Sequence, residues 1–165
     1  MQPSWQGPTP TSANPPNRLR RFESEGFAIS AEGFNVQRQD PVRAGQSPIT
    51  ILYLTSPPGS IPPNVSVMIV NFPGPISDYA ARAKEAYDSG VARILNERTV
   101  SPNEWVVEYT GPLSNQSLHA YSRAVKDGDN VYLITAIALS YQWGQVSPKL
   151  RPCVDSFTLI NSSEP

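Results

Sequence analysis

One segment, NVYLITAIALSY at residues 130–141, constrains the fold of this chain more than any other. Successive side chains of a strand point to opposite faces, so the segment presents two apolar sets. These are Val131, Leu133, Ile137 and Leu139 on one face, and Tyr132, Ile134, Ala136 and Ala138 on the other. A strand that is apolar on both faces needs cover on both, which places it in the middle of a sheet. We therefore predict a sheet with helices on both of its faces.

The segments around it predict further strands of one antiparallel sheet. FAIS and FNVQ lie on either side of a turn at Glu32 and Gly33, and runs rich in β-branched residues follow at 49–55 and 64–72. Strands are then predicted at about 94–100, 104–111, 117–126 and 130–141, with short links between them. The pair Asp127-Gly128 is one that two-residue hairpins favour, so consecutive strands should run antiparallel. The sheet should have about six or seven strands.

Two segments have helical periodicity. The first carries Tyr79, Ala80, Ala83, Ala86 and Tyr87, and the second carries Val146, Leu150, Val154 and Phe157. For the first helix, Ser77 is the predicted N-terminal cap and Gly90 the left-handed residue that ends it. The second should start at Ser147-Pro148 and either kink at Pro152 or become regular only near it, because an interior proline removes a hydrogen bond. The predicted class is α+β, a three-layer α/β/α sandwich.

Length and composition predict one folded domain with a tail at each end. A chain of 165 residues is long enough to bury a core but short for two domains. Residues 1–22 are crowded with proline, serine, threonine and asparagine, a composition that buries too little apolar surface to fold. The domain is predicted at 23–160, with a short tail at 161–165.

Net charge and hydropathy indicate whether nucleic acid, a membrane or another protein is the expected partner. Lys and Arg (13) nearly balance Asp and Glu (14), so the net charge of -1 gives no field that attracts nucleic acid. No apolar run approaches the roughly 18 residues of a membrane span. We expect another protein as the partner. The start of the chain fits either the tether of an exported lipoprotein, with Met1 in place of the lipid-anchored cysteine, or the native start of a cytoplasmic protein.

Reactive residue types are present, but no arrangement indicates catalysis or a cofactor. His119 is the single histidine, and no Cys, His or Asp cluster at metal spacing accompanies it. Cys153 has no evident activating partner, and Asp127 and Asp129 suit turns better than a calcium loop. Neither a G-x-S-x-G nucleophile elbow nor a glycine-rich phosphate loop occurs. We therefore expect no metal, no cofactor and no enzyme activity.

Aromatic residues are the best candidates for a partner surface or groove. They are Tyr87, Trp105, Tyr109, Tyr141 and Trp143. Tyr141 and Trp143 follow the central strand where it is expected to leave the sheet, and an aromatic side chain with a polar group suits an interface there. Packing between the sheet and a helix is the alternative role of all five.

The order of these segments resembles the PsbP-like superfamily. The resemblance covers about residues 24–160 and is carried by the following segments: FNV, NVSVMIV, ISDYAARAKEA, WVVEYTG, DGDNVYLITAIAL and WGQVSPKLRPCVDSF. That superfamily includes the PsbP subunit of photosystem II, the Ran-binding factor Mog and bacterial exported proteins. The resemblance implies an α/β/α sandwich and a role in docking, with no family active site. The chain lacks an evident acidic patch of the kind through which Mog-type proteins bind their GTPase.

Three functional hypotheses follow. The first is a non-catalytic domain that binds another protein or a component of the cell envelope, on a proline-rich tether. The second is a carrier of a small molecule or lipid, with an apolar pocket between sheet and helix near Tyr87, Trp105 and Trp143. The third is an enzyme, which would need His119 in a cleft beside a carboxylate and a hydroxyl.

Overall fold

A computed structural model of the chain describes residues 19–41, 47–58 and 60–160. The predicted tails lie outside the described residues, apart from residues 19–22. The helices are α1 (Ile76–Ser89) and α2 (Ser140–Asp155). The strands are β1 (Arg20–Phe22), β2 (Phe27–Ile29), β3 (Asn35–Gln39), β4 (Ile49–Tyr53), β5 (Asn64–Asn71), β6 (Arg93–Ser101), β7 (Glu104–Leu113), β8 (Gln116–Asp127), β9 (Asn130–Leu139) and β10 (Thr158–Leu159).

Seven strands form one antiparallel sheet in the order β3-β4-β5-β9-β8-β7-β6. Strand β9 is the fourth of the seven, which confirms the prediction that this segment lies mid-sheet. Strands β6 to β9 pair consecutively, as the short links predicted. In the last hairpin Asp127 pairs with Asn130, so the loop is Gly128-Asp129, one residue later than predicted. Gly128 has a φ of 61°, a conformation that glycine adopts without steric cost.

A second, three-stranded sheet in the order β1-β2-β10 was not predicted. The turn at Gly33 joins β2 of this small sheet to β3 of the large one, so FAIS and FNVQ do not pair with each other. Strand β1 uses residues 20–22, which the sequence analysis assigned to the tail. Phe27 of β2 stacks on Phe157 with ring centroids 5.5 Å apart, and this contact ties the small sheet to the core.

Helix α1 ends at Ser89 as predicted, but both of its ends differ from the expected chemistry. Pro75 is the N-cap residue and no side chain caps the helix, so the prediction for Ser77 is wrong. Gly90 has a φ of -87°, and the left-handed conformation falls instead on Val91, with a φ of 62°. A β-branched residue is strained there because its Cβ approaches the backbone.

Helix α2 begins at Ser140, directly after β9 and seven residues before the predicted start. Tyr141 therefore lies in the helix and not at the end of a strand. Pro148 and Pro152 both lie inside the helix, so the carbonyls of Gly144 and Pro148 receive no backbone N–H. Gly144 and Pro148 are exposed, and a missing backbone hydrogen bond costs less at an exposed position, where water can donate in its place. The helix is continuous across both prolines, so of the two predicted alternatives, a kink at Pro152 or a helix that becomes regular only near it, the second is wrong.

The two flanks of β9 pack into two different core clusters. On one flank, Tyr132, Ile134, Ala136 and Ala138 pack with Trp143, Leu150, Cys153 and Val154 of α2. On the other flank, Val131 packs with Trp105 and Val107 of β7 and with Ile76 and Ala80 of α1. Helix α2 lies mainly on β9, β8 and β5, whereas α1 lies on β7, β6 and β8. The class is α+β, as predicted, with a large share of β structure.

Candidate functional site

The five candidate aromatic residues do not form one site. Trp105 is 2% exposed in the core cluster under α1, and its Nε1 donates to Oε1 of Glu97 at 3.0 Å. Tyr87 and Tyr109 lie on the same side and stack with ring centroids 4.2 Å apart. Trp143 belongs to the other cluster, and Tyr141 is 79% exposed. No single groove of the predicted kind therefore joins Trp105 to Trp143.

Trp143 stacks on His119, and this pair leads to a polar network at the edge of α2. The two rings are 4.2 Å apart and nearly parallel, at 12°. Nε2 of His119 lies 2.5 Å from Oε2 of Glu108, and Arg151 of α2 binds Oε1 of the same carboxylate. Both oxygens of Glu108 are therefore occupied by neighbouring groups.

The network continues from β8 to the last turn of α2. The hydroxyl of Tyr121 donates to Oδ1 of Asp155 at 2.7 Å, and the guanidinium of Arg151 lies 4.5 Å from the centre of the Tyr121 ring. Arg151 and Asp155 are four residues apart and so lie on one face of the helix. Glu108 and Tyr121 are cross-strand partners and lie on one face of the sheet. The strand register and the helical repeat together create this contact.

Burial and hydrogen bonding set the charge states in the network. Burial raises the pKa of Glu108, but hydrogen bonds from His119 and Arg151 outweigh it, so this pKa lies below its ordinary value. Burial, together with the hydrogen bond to Asp155, raises the pKa of Tyr121 to about 12. Glu108 is thus ionised and Tyr121 neutral at pH 7, which favours a fixed set of donors and acceptors.

A second polar contact holds the C-terminal end of α2. Nε of Arg123 donates to Glu104 at 2.7 Å, and Nη1 donates to the carbonyl oxygens of Val154, Asp155 and Phe157. The last carbonyls of a helix lack intrahelical partners, so a cation at this end satisfies them and interacts favourably with the helix dipole. Arg123 therefore acts as a C-terminal cap supplied by the sheet.

The chemistry open to these groups is limited. Among the described residues, the one side-chain hydrogen bond of His119 is to Glu108, and no hydroxyl lies within reach of its ring. Burial raises the pKa of the Cys153 thiol to about 12, so the sulfur stays protonated and unreactive. In the part of the chain that the structure describes, no three His, Cys, Asp or Glu side chains gather to hold a metal ion. The network is better suited to holding α2 in place on the sheet than to catalysing a reaction.

Sequence reasoning singled out His119 but missed Glu108, Arg123 and Arg151. Strand alternation was a usable signal for Glu108, since Val106 and Glu108 share a face. Arg151 carried no such signal, because the helix was predicted to start seven residues too late and its contact face was therefore uncertain. The contact between Glu108 of β7 and Arg151 of α2 joins residues that are far apart in the sequence, and it depends on where α2 lies across the sheet.

Three large apolar side chains are exposed at one end of the seven-stranded sheet. They are Val91 (77% exposed), Leu113 (44%) and Tyr141 (79%), which we call the apolar end. Val91 precedes β6, Leu113 ends β7, and Tyr141 follows β9. Because the strands alternate in direction, all three residues lie at the same end of the sheet, with β8 between β7 and β9. With strands about 4.8 Å apart, the set spans roughly 15 Å.

None of the five candidate aromatic residues lines the large groove or the smaller polar cavity that open on the surface of the described residues. A groove of about 760 Å³ is lined by residues of β4, β5 and β9, including Ile49, Met68 and Asn130. A smaller polar cavity of about 110 Å³ is lined by Asn96, Arg98, Glu108, Tyr121 and Arg151, beside the network at α2. Neither Tyr87 nor Trp105, near which an apolar pocket was predicted, lines the large groove.

Comparison with solved structures identifies the fold. The solution structure of cyanobacterial PsbP (CyanoP) from Synechocystis sp. PCC 6803 superposes with a TM-score of 0.60 and 14% identity, covering 86% of this chain and 91% of that one. The chain has the PsbP-like fold. A protein of unknown function from Pseudomonas aeruginosa, PA94, for which a regulatory role is suggested, has the same fold with a TM-score of 0.57 and 14% identity. There 72% of this chain and 91% of the other are covered.

At 14% identity, the similarity to these two structures is evidence for the fold only. No protein-family model and no curated protein sequence matches this chain. None of the helices in the described residues of this PsbP-like domain has the length and hydropathy required to cross a membrane.

Proposed function

We propose that this chain is a non-catalytic PsbP-like domain that docks on another protein through its apolar end, Val91, Leu113 and Tyr141. The observation that carries the proposal is their exposure at the same end of the sheet, next to β6, β7 and β9. A single exposed apolar residue is common on protein surfaces, whereas a group of them favours an interaction site.

Val91 adds a second argument for this surface. It is 77% exposed and has a φ of 62°, so the chain holds an apolar β-branched side chain outward in a strained conformation. Such strain costs on the order of 1–3 kcal/mol and tends to persist at functional positions. Glycine would remove the strain, and Gly90 lies one position away without adopting the left-handed conformation. A binding role for the Val91 side chain accounts for this placement.

The organisation of the interior supports a non-catalytic role. We infer a three-layer α/β/α arrangement, with α1 and α2 on opposite flanks of β9, because their side chains pack into separate core clusters. His119 and Glu108, which could take part in acid-base chemistry, contact each other and α2, and within the described residues the one side-chain hydrogen bond of His119 goes to Glu108. The suggestion of a regulatory role for PA94 is consistent with a protein that acts through a partner.

Affinity capture from a native lysate tests the proposal. The wild-type chain is compared with a double variant, Leu113→Ser with Tyr141→Ser, and with a control, Val100→Ser. Val100 is 49% exposed on β6 but lies at the other end of that strand, so its substitution removes similar apolar area away from the apolar end.

We expect the wild type and Val100→Ser to capture the same stoichiometric protein and the double variant to lose it, with all three melting at the same temperature. Equal capture by all three would contradict the docking role of the apolar end. Recovery of bound small molecules with no protein would favour the carrier.

A further inference from the structure

The small polar cavity beside α2 lies on the α2 side of the sheet. In the register of β6 and β7, Asn96 pairs with Glu108 and Arg98 pairs with Val106, while Tyr121 of β8 also pairs with Glu108. Cross-strand partners lie on the same face of the sheet, so these side chains lie on the face that carries α2, although the helix itself covers other strands of that face. Helix α2 lies mainly on β9, β8 and β5, and its Arg151 forms one wall of the cavity.

The two carboxylates and the tyrosine hydroxyl at this cavity already have hydrogen-bond partners. Glu108 receives His119 on one oxygen and Arg151 on the other. Glu97 receives Lys84 on one oxygen and Nε1 of Trp105 on the other. The hydrogen of the Tyr121 hydroxyl goes to Asp155.

The donors are not all occupied. Within the described residues, Arg98 has no carboxylate within 4 Å and neither Arg98 nor Asn96 makes a side-chain hydrogen bond, although both are exposed. A guanidinium has five N–H donors in a planar fork and no acceptor, which matches the two oxygens of a carboxylate. Arg151 has its charge balanced by Glu108, whereas that of Arg98 has no such balance. Glu97 is paired with Lys84 and Glu108 with Arg151, so among the described residues that line the cavity the positive charge of Arg98 is the one left unpaired.

The size of the cavity limits what it can bind. A volume of about 110 Å³ is well below the roughly 300–1,000 Å³ of metabolite and cofactor sites. One carboxylate group fits the space, and a nucleotide does not. A group presented by a larger molecule that remains outside is therefore a better match than a free metabolite.

We propose that Arg98, with Asn96 and Arg151 beside it, binds a glutamate or aspartate side chain of an acidic peptide segment. This inference rests on the proposed docking function for the source of that segment, and it specifies the chemistry of the partner. Arg98 lies seven residues after Val91, so it is roughly 23 Å along the strand direction from the apolar end. An extended segment that carries an acidic residue about seven positions from an apolar one reaches both surfaces.

Binding of two short peptides tests the site without knowledge of the partner. The probes are acetylated, amidated Gly-Glu-Gly and Gly-Gln-Gly, and the readout is the NMR shift of the arginine Nε–H and asparagine side-chain amide signals. The variants are Arg98→Gln and, as a control, Arg93→Gln. Arg93 is an exposed arginine on the same strand that does not line the cavity.

For the wild type we expect saturable shifts of the Arg98 and Asn96 signals with the glutamate peptide, in the millimolar range, and none with the glutamine peptide. Arg98→Gln should weaken binding about tenfold or more, the effect of losing a charge-assisted hydrogen bond. Arg93→Gln should change binding less than about twofold, because a distant exposed charge is screened by salt.

Equal shifts with both peptides, or equal loss in both variants, would overturn the inference, since either result means that no specific carboxylate site exists. The docking proposal is judged separately, by the dependence of capture on Leu113 and Tyr141. Failure of the peptide test leaves that dependence intact, and loss of that dependence leaves peptide binding at Arg98 measurable.

Discussion

The two helices attach to the seven-stranded sheet in different ways. Helix α2 buries Trp143, Leu150, Cys153 and Val154, whereas α1 buries Ile76 and Ala80. Charged side chains also attach the edge of α2 to the sheet. Arg151 of the helix binds Glu108 of β7, and Arg123 of β8 binds backbone carbonyls at the C-terminal end of the helix. Helix α1 has instead a stack of Tyr87 on Tyr109 and a partly exposed pair between Lys84 and Glu97.

This difference teaches where the stability of the domain resides. Burial of apolar area is the main favourable term in folding, and buried polar groups add to it when all their partners are present. The α2 contact has both, and the α1 contact has less of each. We therefore expect changes under α2 to unfold the domain and similar changes under α1 to be milder.

The largest expected effect comes from Leu150→Ala. Leu150 is fully buried in the α2 cluster, so the truncation should lower the free energy of unfolding by about 3–5 kcal/mol, as transfer and cavity terms add. Ile76→Ala, at the first residue of α1, should cost closer to about 2 kcal/mol, because solvent and the helix end can relax around it. Urea denaturation measures both, and an equal or larger cost for Ile76→Ala would reverse the comparison.

The next effect concerns the charged contacts. Arg123→Met removes a donor from Glu104 and from three carbonyl oxygens, of which that of Val154 keeps the N–H of Phe157, and should cost about 2 kcal/mol. The matched change under α1, Lys84→Met, removes a partly exposed pair and should cost no more than about 0.5 kcal/mol. Equal losses of unfolding free energy for the two variants in chemical denaturation would mean that the charged contacts of α1 and of α2 contribute equally to stability.

Acid pH sharpens the comparison through Glu108. Its pKa in the folded protein lies below the ordinary value of 4.5, so its contribution to stability is present above that value and is lost as the pH falls through the folded pKa. Thermal unfolding between pH 6 and pH 2 should therefore show a shallower decline for Glu108→Gln than for the wild type. An unchanged slope would show that the bonds from His119 and Arg151 do not stabilise the ionised form.

The smallest expected effect is a gain at Val91. Val91→Gly removes the strain of a positive φ and should raise the free energy of unfolding by about 1 kcal/mol, because the relief exceeds the added chain entropy of glycine. Val91→Ala keeps a Cβ in the same conformation and should gain much less. Thermal melts of both variants measure the difference, and a loss of stability in Val91→Gly would argue against strain at this position.

Several features of the fold could be read from local sequence. The two-sided apolar pattern of β9 placed it mid-sheet, because each side chain of a strand must face one of only two sides. Short links between β6, β7, β8 and β9 required antiparallel pairing, since a tight turn cannot join parallel strands. The end of α1 at Ser89 was also predictable, from the loss of periodicity and the glycine that follows.

Other features depended on contacts between distant segments. Ser140 starts α2 because Trp143 stacks on His119 and Leu150 packs under the helix, and neither contact is visible in the local pattern. The left-handed residue is Val91 and not Gly90, since the path from α1 into the edge strand β6 sets the backbone there. The candidate binding groups likewise come together only in the folded chain, where Arg98, Glu108 and Arg151 arrive from β6, β7 and α2.

The sequence by itself determined the seven strands of the large sheet, the presence of two helices and the burial of β9 on both faces, because burial on two sides leaves a mark at nearly every position of that strand. Tertiary structure alone decided where α2 begins, the pairing of the small sheet and the partners of Glu108. The physical reason is that hydrophobic periodicity is a property of neighbouring residues, whereas a hydrogen bond or a ring stack between elements depends on the relative positions of whole layers.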